Sequence, residues 1–122
     1  MKMAELFFSW PDRRLSPNAR HHWSVVARAK KAAKRSAYYT VLEAGIGKIS
    51  AETINVRVSF YPPDGRPRDT DNMVASCKAV FDGISQAIGM DDSRWNLSIS
   101  ARGPIEKNGI VKVQLEWDEV AA

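Results

Sequence analysis

Residues 66–94 read RPRDTDNMVASCKAVFDGISQAIGMDDSR, and this stretch organises the rest of the chain. Within it Cys77, Phe81, Ile84 and Ile88 recur at spacings of three and four, with Val74 and Val80 beside them. That is the period of a helix with one apolar face. Asp69, Asp71 and Asn72 are residue types that bind the free amides of a first helical turn, and Gly89 is a type that ends a helix. A helix is therefore expected from Asn72 to about Ile88. Asp71 and Lys78 are seven apart, which on one continuous helix sets them on nearly the same face, at the border of the apolar stripe. Asp82, four beyond Lys78, is placed to pair with it.

Outward from that segment the chain alternates between the two common periods. Lys2–Trp10 carries the apolar run Leu6-Phe7-Phe8 and reads as a strand stopped by Pro11. Ser16, Pro17 and Asn18 are start signals for a helix running to about Glu43, with Gly45 and Gly47 ending it. Residues 53–61 (TINVRVSFY) alternate Ile54, Val56, Val58 and Phe60, as a half-buried strand does. Pro62, Pro63 and Gly65 break the chain before the acidic segment. Residues 95–100 and 110–117 read as two closing strands, and RGPIEKNG between them has hairpin-loop composition. The expected fold is α+β, one domain over residues 1–122, in the order βαβαββ, with one mixed sheet packed against two main helices.

Composition narrows the setting. The chain has 122 residues, 44% of them hydrophobic, enough for one core. A single cysteine, Cys77, precludes an internal disulfide and a thiolate zinc site, and the expected location is the reducing cytoplasm. No apolar run has the length of a membrane span, and the N-terminus lacks the hydrophobic stretch of a signal peptide. Charge is unevenly placed. Residues 1–35 hold nine Lys/Arg against Glu5 and Asp12, whereas the remainder holds nine against twelve acids, for a net +4. The first segment is the expected polyanion-facing part.

On the wheel of the first helix Arg28, Lys31 and Arg35 form one row, roughly opposite Trp23, Val26, Ala33, Ala37 and Val41. Such a row can track phosphates; Arg13, Arg14 and Arg20 in the preceding loop are the other candidates. Lys30 and Lys34 fall near the apolar side, where they would have to snorkel from its edge. His21 and His22 read as capping and surface residues. Trp10, Trp23 and Trp95 flank loops and are the aromatic rings placed to meet an unpaired base. Phe7, Phe8, Phe60, Phe81 and Trp117 read as core.

The acids carry the chemistry. If the segment folds back on its start, Asp69, Asp71, Asp91 and Asp92 could gather near Lys78. Hard cations such as Mg²⁺ take oxygen ligands, and a cation-holding pocket in a basic protein suits metal-assisted cleavage of a polyanion. Helix capping explains Asp69 and Asp71 without any metal. A calcium loop does not fit, because its sixth position here is Val74 rather than glycine and no glutamate closes it.

RPRDTDN, then KAVFDGI, then GMDDSR, followed by two closing strands, resembles the RusA family of Holliday junction resolvases, found in bacteria, phages and prophages. The resemblance extends to the first strand, the loop LSPNARHHW and the basic helix, and so covers almost the whole chain. It implies a homodimeric hydrolase of DNA recombination and repair that resolves four-way junctions by paired symmetric nicks. Mg²⁺, or Mn²⁺, is the implied cofactor, with no organic cofactor and no membrane partner; the ends left are 5′-phosphate and 3′-hydroxyl. It implies Asp69, Asp71 and Asp92 as catalytic metal ligands; Asp91, beside Asp92, is a candidate additional ligand, and Lys78 is the candidate for the catalytic lysine. The family lysine in its best-known form stands four residues after the second motif aspartate, which here is Ala75, so Lys78 would act from one turn further on. Two alternatives remain open: a nuclease for flaps or other branched DNA, and a junction-binding protein without catalysis.

Overall fold

Ile54, Val56, Val58 and Phe60 are all buried, and the strand they define is the spine of the molecule. In the computed structural model, which describes residues 1–120, a four-stranded sheet is built around it. The strands are β1 (Lys2–Ser9), β2 (Ile54–Tyr61), β3 (Trp95–Ser100) and β4 (Ile110–Trp117), in the spatial order β1-β4-β2-β3. β4 runs antiparallel to both β1 and β2, and β3 runs parallel to β2, so the sheet is mixed. Three helices complete the domain: α1 (Trp23–Glu43), α2 (Thr70–Ser76) and α3 (Lys78–Ile88). The α+β class and the mixed sheet agree with the sequence; the element order is βαβααββ rather than βαβαββ.

Alternation decides which face of the sheet is covered. Val111, Val113, Leu115 and Trp117 of β4 are buried on the same side as the four β2 residues and Leu6 of β1. Ala37 and Val41 of α1 and Phe81, Ile84, Ala87 and Ile88 of α3 join them in one core. Burying each large aliphatic or aromatic side chain there contributes roughly 1.5–3 kcal/mol. Phe7, read from sequence as core, lies on the opposite face and is 58% exposed. None of the helices is long and apolar enough to cross a membrane, among the described residues.

Three local expectations are corrected. The first helix begins at Trp23, not near Asn18, because Leu15 is buried and draws the preceding chain into a 3₁₀ turn, Arg13–Leu15, capped by Asp12. The His22 ring then caps α1, its Nδ1 accepting the Ser24 N–H at 3.2 Å. The second helix is split at Cys77, whose φ of −95° and ψ of 0° lie in the bridge region. Ser76 Oγ donates to the Asn72 carbonyl at 2.8 Å just before the break, a bond that bends helices. Asp71 and Lys78 therefore belong to different helices. Finally, RGPIEKNG is not a hairpin: β4 inserts between β1 and β2, and β3 takes the outer edge. The α3 crossover delivers β3 parallel to β2, while the fully alternating β4 fills the more buried place. The loop crosses the end of β2, where the Gly103 N–H donates to the Phe60 carbonyl at 3.0 Å.

The two long helices approach closely at one glycine. A Cβ added to Gly83 of α3 would collide with the Lys34 carbonyl and come within 2.9 Å of the Ala37 Cβ. This close approach sets how near the basic helix lies to Lys78 and the acids that follow α3.

Candidate functional site

Along the α1/α2/α3 seam the surface opens into a groove of about 920 Å³. Leu15, Val26, Val74, Phe81 and Leu97 give it an apolar lining. Charge rims it: Arg14, Lys30, Lys31 and Lys34 on the basic side, and Lys78, Asp82 and Asp92 on the other. Lys78 Nζ lies 2.5 Å from Asp92 Oδ2 and 3.1 Å from Asp82 Oδ1. The hydrogen bond to Asp92, then that to Asp82, raises the Lys78 pKa, so its ammonium stays charged through the neutral range. The pairing of Lys78 with Asp82 agrees with the sequence.

The other acids are committed to local turns. Asp69 caps α2, its Oδ1 accepting from the N–H groups of Asp71 and Asn72 at 2.8 and 3.4 Å. Asp91 caps the 3₁₀ turn Asp92–Arg94 by accepting from the Ser93 N–H at 3.0 Å, and hydrogen bonding to Ser93 lowers its pKa. Asp71 is exposed in the first turn of α2. The expected gathering of acids around Lys78 is thus partial: Asp92 and Asp82 reach it, while Asp69 lines a neighbouring groove with Arg13, His21, Arg66 and Arg68. The capping explanation of Asp69 is borne out.

Among the described residues no three Asp, Glu, His or Cys side chains converge on a common cation position. Asp69 nevertheless engages Oδ1 alone, and Asp91 and Asp92 engage Oδ2 alone, leaving one oxygen on each for a further ligand. Exposed hard oxygens of this kind fit a cation held by one or two carboxylates plus water and phosphate, the usual arrangement for Mg²⁺. They do not form a ready-made cage.

Placement also sorts the basic candidates. Of Arg28, Lys31 and Arg35 only Lys31 lines the groove; the Arg35 guanidinium lies 5.8 Å from the centre of the Tyr39 ring. Lys30 and Lys34, on the side assigned to the apolar face, are exposed groove residues. The sequence signal was present in their position: a lysine beside an apolar stripe sits at the edge where one helix meets the next. Arg14 is bound to Asp12 at 2.6 Å, Arg13 lines the neighbouring groove, and Arg20 is exposed. Cys77 is buried, and burial pushes its thiol up to about 12, which agrees with a core role.

Comparison with known proteins adds one relative. An uncharacterised protein of Xylella fastidiosa is 39% identical over 97 residues, covering 77% of this chain and 63% of that protein. The chain thus spans less than two thirds of the relative's length. No family profile matches the chain.

Proposed function

We propose that this chain is a Mg²⁺-dependent endonuclease that acts on branched DNA, with four-way junctions as its substrate and paired symmetric nicks as its outcome. The observation that carries the reading is the sharing of one groove by Lys30, Lys31 and Lys34 with Lys78, Asp82 and Asp92. A groove with ammonium groups along one wall attracts a phosphate chain, and it would bring that chain beside a lysine–carboxylate pair. The likeness of RPRDTDN, KAVFDGI and GMDDSR to the RusA resolvases supplies the reaction type.

In this reading one or two carboxylates from the set Asp69, Asp71, Asp91 and Asp92 would hold the cation, with water and substrate phosphate completing its coordination. Bound Mg²⁺ supplies Lewis acidity toward phosphodiester oxygens. Lys78, held by Asp92 and Asp82, offers its ammonium to the phosphate whose negative charge grows during hydrolysis. Lys30, Lys31 and Lys34 hold the strand in register. Asp69 keeps the first turn of α2 in place, so its replacement is expected to disturb Asp71 as well.

Two opposed nicks need two sites, and a C₂ homodimer is the simplest way for one small chain to supply them. The outer edges of β1 and β3 carry no strand partner among the described residues, so a sheet edge is available for such pairing. Incubating the protein with a synthetic four-way junction, a matched duplex and a flap, each in Mg²⁺, Mn²⁺ or EDTA, tests the reading. Metal-dependent cutting confined to the flap would favour the broader nuclease, and junction binding without cutting would favour the non-catalytic alternative.

A further inference from the structure

Of the three tryptophans that flank loops, two are engaged by the fold. Trp10 packs edge-on against Phe60 at 5.9 Å, lies 5.3 Å from the Arg68 guanidinium and is abutted by Gly109. Trp95 packs edge-on against Phe81 at 5.9 Å, and its indole nitrogen is buried. Trp23 is different: it is 75% exposed at the first residue of α1, beside the tilted His22 ring at 5.5 Å. A bare indole of that size at a helix start adds nothing to the core.

Its helical position gives it company. Lys30 and Lys34 are seven and eleven residues on, and such spacings return to within about 20° of the same helix direction. Trp23, Lys30 and Lys34 therefore form one row, in which the two lysines line the groove and Trp23 stands outside its lining. At a rise of 1.5 Å per residue the lysines stand roughly 10 and 17 Å from Trp23 along the axis. Those distances are a few nucleotides of an extended strand. Aromatic faces interleaved with cations along one line are the physical recipe for holding single-stranded nucleic acid, because every base has a stacking face and every linkage a charge.

We infer that Trp23 stacks on an unpaired nucleobase of a DNA strand whose phosphates pass Lys30 and Lys34. This rests on the proposed DNA-binding function and adds to it a contact that recognises unpaired rather than paired bases. The other three tryptophans are buried or half-buried, so the difference in intrinsic fluorescence between wild type and Trp23→Phe reports on Trp23. The test is titration in EDTA with a synthetic four-way junction, an oligothymidylate and a blunt duplex, for wild type, Trp23→Phe and Trp23→Ala. Wild-type emission should be quenched by oligothymidylate and little by the blunt duplex, and quenching by the junction would show that base pairs at its centre open on binding. Trp23→Phe should bind the same DNAs without that quenching. Trp23→Ala should bind oligothymidylate at least about fivefold more weakly, and duplex as wild type does. Quenching that persists in Trp23→Phe, or Trp23→Ala binding like wild type, would overturn the inference while leaving DNA binding intact. An emission change that follows protein concentration without DNA would assign the indole to self-association instead. No binding of any DNA would remove the underlying reading as well.

Discussion

Lys78 and Asp92 meet across the turn that follows α3, Nζ to Oδ2 at 2.5 Å, although fourteen residues separate them in the chain. The bond ties the start of α3 to the acidic pair beyond its end. The Lys78 side chain is 60% exposed and that of Asp92 39%, so water screens the pair and it holds little folding energy. Exposed ion pairs contribute at most about 1 kcal/mol. Replacing Lys78 with Met is therefore expected to lower stability by less than about 1 kcal/mol in urea unfolding. If the proposed cleavage is this chain's activity and Lys78 stabilises developing charge in it, junction cleavage should nevertheless fall by at least about a hundredfold. A variant that cuts as fast as wild type would make the pair merely structural.

Gly83→Ala probes the seam. The added Cβ meets the Lys34 carbonyl and the Ala37 Cβ, so the two long helices must separate. Overpacking of this kind costs typically about 1–3 kcal/mol. A stability loss in that range, measured by denaturant midpoint, is expected; an unchanged midpoint would mean that α1 and α3 are not so close.

The fold was legible where burial follows a simple period. β4 alternates throughout and β2 alternates as far as Val58, with Ser59 buried as well, and their inward apolar residues are the ones whose alternation could be read. Sheet order was not legible, because RGPIEKNG has hairpin composition whichever strand it reaches, whereas β3 and β4 lie on opposite sides of β2 and do not pair with each other. The break at Cys77 was hidden for a related reason. Helical spacing from Val74 to Ile88 is continuous, whereas the bend follows the hydrogen bond that the Ser76 hydroxyl donates to the Asn72 carbonyl. At the site, the Lys78–Asp82 pair followed from spacing. Lys78–Asp92 depends on how tightly the chain turns after Gly89, whose φ of 73° is the left-handed conformation that ends α3.

Acid stability should report two arginine-bound carboxylates. Asp64, bonded chiefly by Arg66, and Asp12, bonded chiefly by Arg14, are each lowered from 3.8 to about 2. A depressed carboxylate contributes stability that is present above its unfolded value and is lost as pH falls through the folded one. The window is therefore from 3.8 down to about 2. Carboxyl NMR titration should find both midpoints near the lower value, and Asp64→Asn should flatten the loss of stability across the window. Midpoints near 3.8 would show that these arginine–carboxylate bonds do not hold in solution.

The lysine row makes a prediction that distinguishes it from the row read on the helical wheel. Lys30→Ala with Lys34→Ala should reduce the slope of log affinity against log salt by about 2, since each phosphate left unneutralised removes about 0.9 from it. Arg28→Ala with Arg35→Ala should leave the slope largely unchanged, since neither side chain lines the groove. The reverse pattern would move the DNA path to the outer face of α1.

If Asp92 and Lys78 belong to a metal-dependent cutting site, cleavage of a four-way junction at saturating protein tests it most directly. With Mg²⁺ the wild type should introduce two symmetric nicks, leaving 5′-phosphate ends that ligase reseals, and EDTA should abolish cutting without abolishing binding. Asp92→Asn should bind the junction and leave it whole. Wild-type protein that binds the junction yet cuts nothing in Mg²⁺ or Mn²⁺, or an Asp92→Asn variant that cuts like wild type, would contradict the assignment.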